Sequence, residues 1–138
     1  MAQGVSADLA RWLDHAAGAD FANCAAFTAD WVERATGEHP APWVHDLSEQ
    51  DWRAALAQRG GMRRVLAEVA EGCGARAVAC SKARPGDVGL VTTLDSNGRR
   101  NRVCAVRAPA GGWALWAGRD GLVIAPVDAL KVWRVVYG

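Results

Sequence analysis

The stretch that organises this chain runs from Phe21 to Val32 and reads FANCAAFTADWV. Apolar residues recur at Cys24, Phe27 and Trp31 with helical spacing, which predicts an amphipathic helix whose buried face begins with the cysteine. A thiol at a helix N-terminus lies near unpaired N–H groups and the positive end of the helix dipole, and both favour the thiolate. Thiol hydrolases keep their nucleophile at such a junction, so Cys24 is the candidate nucleophile.

Further helices are predicted on both sides of this one, within residues 1–74. Ser6 and Ser48 are of a residue type that caps helix N-termini, and Gly37 is a natural stop for the helix that begins at Cys24. The apolar periodicity predicts helices over about 6–17, 24–36, 48–59 and 62–71.

In residues 75–138 the pattern changes to one typical of strands. The segment Ser96-Asn97-Gly98 is a strong hairpin signal between two runs rich in valine. Strands are predicted over 87–94, 102–106, 113–117, 122–125 and 132–136. Helices followed by strands indicate an α+β fold, in which N-terminal helices pack on a small, mostly antiparallel sheet of about five strands. We expect one domain over residues 1–138.

Composition and charge exclude several classes of function. The net charge of +1 provides no field that would attract nucleic acid or an anionic membrane. No stretch reaches the roughly 18 apolar residues of a membrane span, and the first residues do not resemble a signal peptide. The four cysteines are isolated, without the spacing of a zinc site or a disulfide framework, and Cys73, Cys80 and Cys104 are expected to be small buried residues. We therefore expect a soluble protein without metal or cofactor.

The chain has seven tryptophans but only one tyrosine and two phenylalanines. Trp31 is predicted to be a core residue of the helix that begins at Cys24. Trp52, Trp113 and Trp116 have two interpretations: a surface for docking or for stacking on glycans, or ordinary buried packing.

Two segments are similar to motifs of the NlpC-like cell-wall peptidases, a superfamily with a papain-like fold. Asn23-Cys24 stands where that superfamily has Asp-Cys, and Pro85-Gly86-Asp87 matches the Pro-Gly-Asp that starts its first core strand. The closing segments, 121–126 and 132–135, resemble a branch associated with phages and prophages. Asp87 itself is expected to cap backbone N–H groups in its turn.

The resemblance also assigns positions to the remaining catalytic groups. The histidine base of the superfamily would fall at Arg102 and the polar residue that orients it at Trp116. Arginine, with a pKa above about 12, cannot serve as a general base at neutral pH. The three histidines of the chain all precede the predicted sheet: His15, His39 and His45.

Three functions remain open from the sequence. The resemblance implies either a non-catalytic NlpC-like domain in a phage-type tail tip or baseplate, or an active cysteine peptidase or amidase acting on peptidoglycan. In the first case the partners would be other tail proteins, and the chain would join a virion assembled in the bacterial cytoplasm. The third is a module that binds a peptide or glycan through Arg102, Trp113 and Trp116, with Asn23 and Trp113 as candidate binding residues.

Overall fold

The computed structural model describes residues 2–94, 97–135 and 137, and these residues form an α+β fold. Helices occupy the first half of the chain and strands the second, as the sequence predicts. The helices are α1 (Ala2–Ala17), α2 (Cys24–Thr36), α3 (Glu49–Gln58) and α4 (Met62–Gly72). None of the helices in the described ranges combines the length and the apolar character that crossing a membrane requires.

The described strands form one antiparallel sheet. They are β1 (Arg76–Val78), β2 (Val88–Leu94), β3 (Arg100–Arg107), β4 (Trp113–Trp116), β5 (Leu122–Ala125) and β6 (Ala129–Arg134). Their spatial order is β1-β6-β2-β3-β4-β5, so β6 lies between the first two strands of the chain. The sheet therefore has six strands, where the sequence predicts about five.

Helix α2 packs across the middle of the sheet, mainly on β3 and β4. Its buried side includes Phe27 and Trp31, which with Trp12 of α1 form a cluster of rings. The Trp31 indole N–H also donates a hydrogen bond of 2.9 Å to the carbonyl of Gly86, just before β2. These contacts fix both the tilt of α2 and its position along the strands, and so place Cys24 against the sheet.

On the opposite face of the sheet, the Trp113 side chain of β4 packs across β2. Its ring lies over Gly89, where a Cβ atom would come within 2.6 Å of the ring carbon Cζ3. Only a glycine on β2 leaves room for this ring. Trp113 is 1% exposed, so it is a core residue and not part of a surface for docking.

Local signals predict some element boundaries well. Gly37 ends α2 in the left-handed conformation, with a φ of 78°, and the Ser48 hydroxyl accepts from the Asp51 N–H at the start of α3. The Ser6 cap is wrong, because α1 already begins at Ala2 and Val5 packs against the core. Of the predicted hairpin turn, Ser96 lies outside the described residues, while β2 and β3 pair as an antiparallel hairpin around it.

Candidate functional site

The start of α2 is held by the side chain of Asn23, which is 1% exposed. Its carbonyl oxygen accepts a hydrogen bond of 2.8 Å from the Ala26 N–H and so caps the helix. Its amide group donates to two carbonyl oxygens of the following loop, those of Val44 at 2.7 Å and Leu47 at 2.8 Å. Asn23 thus uses one side chain to begin the helix and to fasten the loop beside it. Both polar groups of the Asn23 side chain are therefore hydrogen-bonded within the protein.

The loop between α2 and α3 turns sharply to reach Asn23. Ala41 adopts the left-handed conformation, with φ 43° and ψ 59°, and a short 3₁₀ turn follows over Pro42–Val44. A non-glycine residue in this region costs free energy, which the contacts of the loop must offset. Together with the bonds to Asn23, this turn lays the buried Val44 beside the start of α2.

The Cys24 sulfur lies directly against a second cysteine. Its Sγ atom is 3.8 Å from the Sγ of Cys104 on β3, which is within hydrogen-bonding distance for thiols. Cys24 is 2% exposed and Cys104 is fully buried. The sequence predicts Cys104 to be an isolated core residue, but the fold makes it the direct partner of the candidate nucleophile.

The pair shifts the two thiol pKa values in opposite directions. The hydrogen bond from Cys104 lowers the pKa of Cys24, against the opposing effects of burial and of the Glu49 carboxylate. The same hydrogen bond, with burial and the neighbouring thiolate, raises the pKa of Cys104 well above its ordinary value. Of the two sulfurs, Cys24 is therefore the one that carries negative charge more readily, as its position at the helix start predicts.

Trp52 of α3 completes the surroundings of the sulfur pair. Its buried indole N–H has no partner within hydrogen-bonding distance in the described part of the chain. As a donor near the Cys24 sulfur it makes a small contribution to lowering the pKa of Cys24, after the larger one from Cys104. Next to it is an apolar cavity of about 60 Å³, bounded by α2, α4 and the sheet. Thr28, Trp52 and Cys104 all line this cavity, so it reaches the Cys104 side of the sulfur pair.

Neither Arg102 nor Trp116, the two positions that the resemblance assigns to the base and its orienting residue, is the partner of the Cys24 sulfur. Arg102 pairs with Thr92 on the same hairpin, two residues from Cys104 towards the turn, and it is exposed. Cys104, and not Arg102, therefore occupies the point of β3 that faces the Cys24 sulfur. Trp116 does lie on the α2 side of the sheet, where its ring stacks with Phe27 at a centroid distance of 6.1 Å, and it is 8% exposed.

Trp113 and Trp116 do not form a common surface. They lie on opposite faces of β4 because they are three positions apart on the strand, and successive side chains alternate between the two faces. Both are buried, as is Trp52. The packing interpretation of these three tryptophans is confirmed, and Arg102 is the exposed member of the set predicted to bind a peptide or glycan.

No histidine within the described ranges makes a hydrogen bond to Cys24. His39 lies 3.2 Å from the carboxylate of Glu33 through its Nδ1 atom and is largely exposed. His15 and His45 are exposed as well. The sulfur therefore has a thiol as its neighbour on the sheet, where a cysteine hydrolase needs an imidazole.

The turn formed by residues 85–87 has a structural role. The Asp87 carboxylate accepts from the Arg84 N–H at 2.8 Å, which confirms the predicted cap. It also forms a two-point ion pair with Arg134 at the end of β6, with distances of 3.2 Å and 3.0 Å. Arg134 could not be identified as the partner of Asp87 from the sequence, since only the sheet order brings the two residues together.

The described residues contain no cluster of three or more histidine, cysteine or acidic side chains that could hold a metal ion. The sequence profile of one family, described as "Domain of unknown function (DUF6950)", matches residues 2–135. Neither a curated protein nor a solved structure matches the chain.

Proposed function

We propose that this chain, which belongs to the family described as "Domain of unknown function (DUF6950)", is a diverged, non-catalytic NlpC-like domain. In this proposal it is a structural component of a phage-type tail tip or baseplate. The phage context rests on the sequence resemblance of the closing segments. The absence of catalysis is supported by one observation at the site, which is the neighbour of the Cys24 sulfur.

That neighbour is the Cys104 thiol, at 3.8 Å. A cysteine hydrolase needs a group that takes a proton from the thiol and later gives one to the leaving amine. A buried thiol whose pKa is raised well above its ordinary value holds its proton at neutral pH and cannot cycle in this way. The sulfur is also 2% exposed, so a peptide carbonyl has no path to it without movement of the loop fastened by Asn23.

The test of catalysis is an assay on purified peptidoglycan, with released muropeptides and free amines measured by mass spectrometry. We expect the wild-type protein to release no more than the Cys24→Ala variant. Cys80→Ala is the matched control, because Cys80 is exposed and lies in a 3₁₀ turn away from the site. Release that Cys24→Ala abolishes and Cys80→Ala retains would overturn the non-catalytic assignment.

The structural role needs a separate test on assembled particles. If the chain is a tail component, tail particles purified from a strain that encodes it contain the chain at a fixed ratio to the other tail proteins. Quantitative mass spectrometry of gradient-purified particles measures this ratio. The Cys24→Ala variant should be incorporated equally well, while complete absence of the wild-type chain from the particles would contradict the proposal.

A second candidate function is an active cysteine peptidase or amidase that cleaves peptidoglycan peptides. The observation in its favour is the lowered pKa of Cys24 at the first residue of α2. In this case the peptidoglycan assay would show release that depends on Cys24. An exposed histidine such as His45 would have to move to the sulfur, and His45→Ala would then abolish the release as well.

A further inference from the structure

The buried sulfurs of Cys24, at the start of α2, and Cys104, on β3, form a pair that has no role in the proposed function. The Sγ atoms of Cys24 and Cys104 are 3.8 Å apart, and both residues are almost completely shielded from water. A disulfide has an S–S distance of about 2.05 Å, so the sulfurs need to approach by less than about 2 Å. We propose that Cys24 and Cys104 are a two-electron redox site that a hydroperoxide oxidises to an intramolecular disulfide.

The site has an entrance suited to a small oxidant. The apolar cavity of about 60 Å³ reaches the pair from the Cys104 side, beside Thr28, and its walls include the partly exposed Val69 and Cys73. The Cys24 sulfur lies 3.8 Å beyond the Cys104 sulfur. A water molecule needs roughly 10–15 Å³ of such volume, so hydrogen peroxide fits while a peptide or glutathione does not. The geometry therefore selects a small hydroperoxide and excludes exchange with large disulfides.

The two cysteines have different parts in the reaction. Cys24, whose thiol loses its proton more readily, attacks one peroxide oxygen, the O–O bond breaks, and with one proton the products are a sulfenic acid and water. The Cys104 sulfur then attacks the Cys24 sulfur, the S–O bond breaks, and the hydroxyl leaves with the Cys104 proton as a second water. The sulfurs lose two electrons and the peroxide gains them. Once the protein is unfolded in denaturant, a dithiol reductant returns both cysteines to thiols.

The disulfide would join α2 covalently to β3 and close a loop across 80 positions of the sequence. Cross-links over loops of this length restrict the unfolded chain strongly. We expect the oxidised protein to melt at a temperature higher by on the order of 10 °C. This inference does not depend on the proposed tail role or on the absence of peptidase activity.

The experiment treats the folded wild-type protein with one equivalent of hydrogen peroxide, then alkylates the remaining thiols in denaturant and maps the peptides by mass spectrometry. We expect a peptide pair linked through Cys24 and Cys104, which dithiothreitol separates again. Repeating it in the Cys73→Ser/Cys80→Ser background should give the same linked pair, because neither of these sulfurs is a member of the pair, although Cys73 lies in the wall of the cavity.

Cys104→Ser is the diagnostic variant, since it keeps the oxidisable thiol and removes its partner. Cys24 should then gain oxygen atoms, and no linked peptide should form. The wild-type map decides the question even if this variant does not fold. Cys24 and Cys104 remaining fully alkylatable at a peroxide dose that oxidises the exposed Cys80 would overturn the proposal, as would links that involve only Cys73 or Cys80.

Discussion

Replacing Asn23 with alanine removes all three hydrogen bonds that fasten the start of α2. Loss of the helix cap costs about 1 kcal/mol. The buried carbonyl of Val44 and the partly buried carbonyl of Leu47 lose their donors, at about 1–2 kcal/mol each. The free energy of unfolding should therefore fall by about 3–5 kcal/mol, which is a third or more of the stability of a typical domain.

The assay is equilibrium unfolding in urea, followed by circular dichroism. With a slope of about 1–3 kcal/mol per molar urea, the midpoint should move down by about 2 M. Ser48→Ala is the matched control, because Ser48 also caps a helix but is exposed and accepts only the Asp51 N–H at 3.1 Å. Its cost should be about 1 kcal/mol.

The Asn23→Asp variant separates the helix cap from the two hydrogen bonds to the loop. A carboxylate keeps the cap on the Ala26 N–H but points acceptor oxygens at the Val44 and Leu47 carbonyls, so at pH 7 this variant should lose as much stability as Asn23→Ala. Burial and the two facing carbonyl oxygens raise the pKa of this carboxyl group above its value in the unfolded chain, so the deficit should shrink as the pH falls towards 4 and the protonated group can donate one bond. If Asn23→Ala costs no more than Ser48→Ala, the loop carbonyls do not depend on Asn23 and the reasoning fails.

Gly89→Ala should lower the free energy of unfolding by about 1–3 kcal/mol, because the added methyl group overlaps the indole ring on that face of the sheet. Gly72→Ala is its control, with open space around the new methyl at the end of α4, and an equal loss in both variants would contradict the overlap. Arg134→Met should cost about 3 kcal/mol in thermal unfolding by leaving a buried carboxylate unpaired, whereas Arg53→Met removes only an exposed pair and should cost less than about 1 kcal/mol. The raised pKa of Cys104 means that the folded protein keeps a proton which the unfolded chain releases, so stability is lost as pH rises above the ordinary thiol pKa of 9.0. Because the same hydrogen bond lowers the pKa of Cys24, the test removes both thiols. Between about pH 9 and 10.5 the urea midpoint of the Cys24→Ala/Cys104→Ala variant should fall less steeply than that of the wild type, and parallel curves would refute this assignment.

The helices and their order could be predicted because their signals are local. Gly37 and Ser48 mark the end of α2 and the start of α3 through the conformations and hydrogen bonds of their own backbone neighbourhood. Strand β1 could not be predicted in the same way. Its three residues, Arg76–Val78, are mostly exposed and have no apolar alternation, so only pairing with distant β6 makes them a strand.

In the candidate site, too, the feature set by neighbouring residues could be predicted and the one set by distant contacts could not. The position of Cys24 at the first residue of α2 follows from the sequence and is confirmed. The residue that faces it could not be deduced, because alternate residues of a strand share one face and the pattern of β3 suits Arg102 and Cys104 equally. The choice depends on where α2 sits along the strands, which is set by the distant contact of Trp31 with Gly86.

The position of β6 in the sheet has a consequence for how the protein is made. Strands β1 and β2 each pair with β6, although more than 30 residues lie between the end of β2 and the start of β6. While a ribosome is still adding residues 95–128, the β2 edge that will bind β6 has no partner, and Asp87 has no arginine to neutralise it. An open strand edge is a site where nascent chains associate. The helical half can therefore compact early, whereas the centre of the sheet closes only when residues 129–134 have emerged from the exit tunnel.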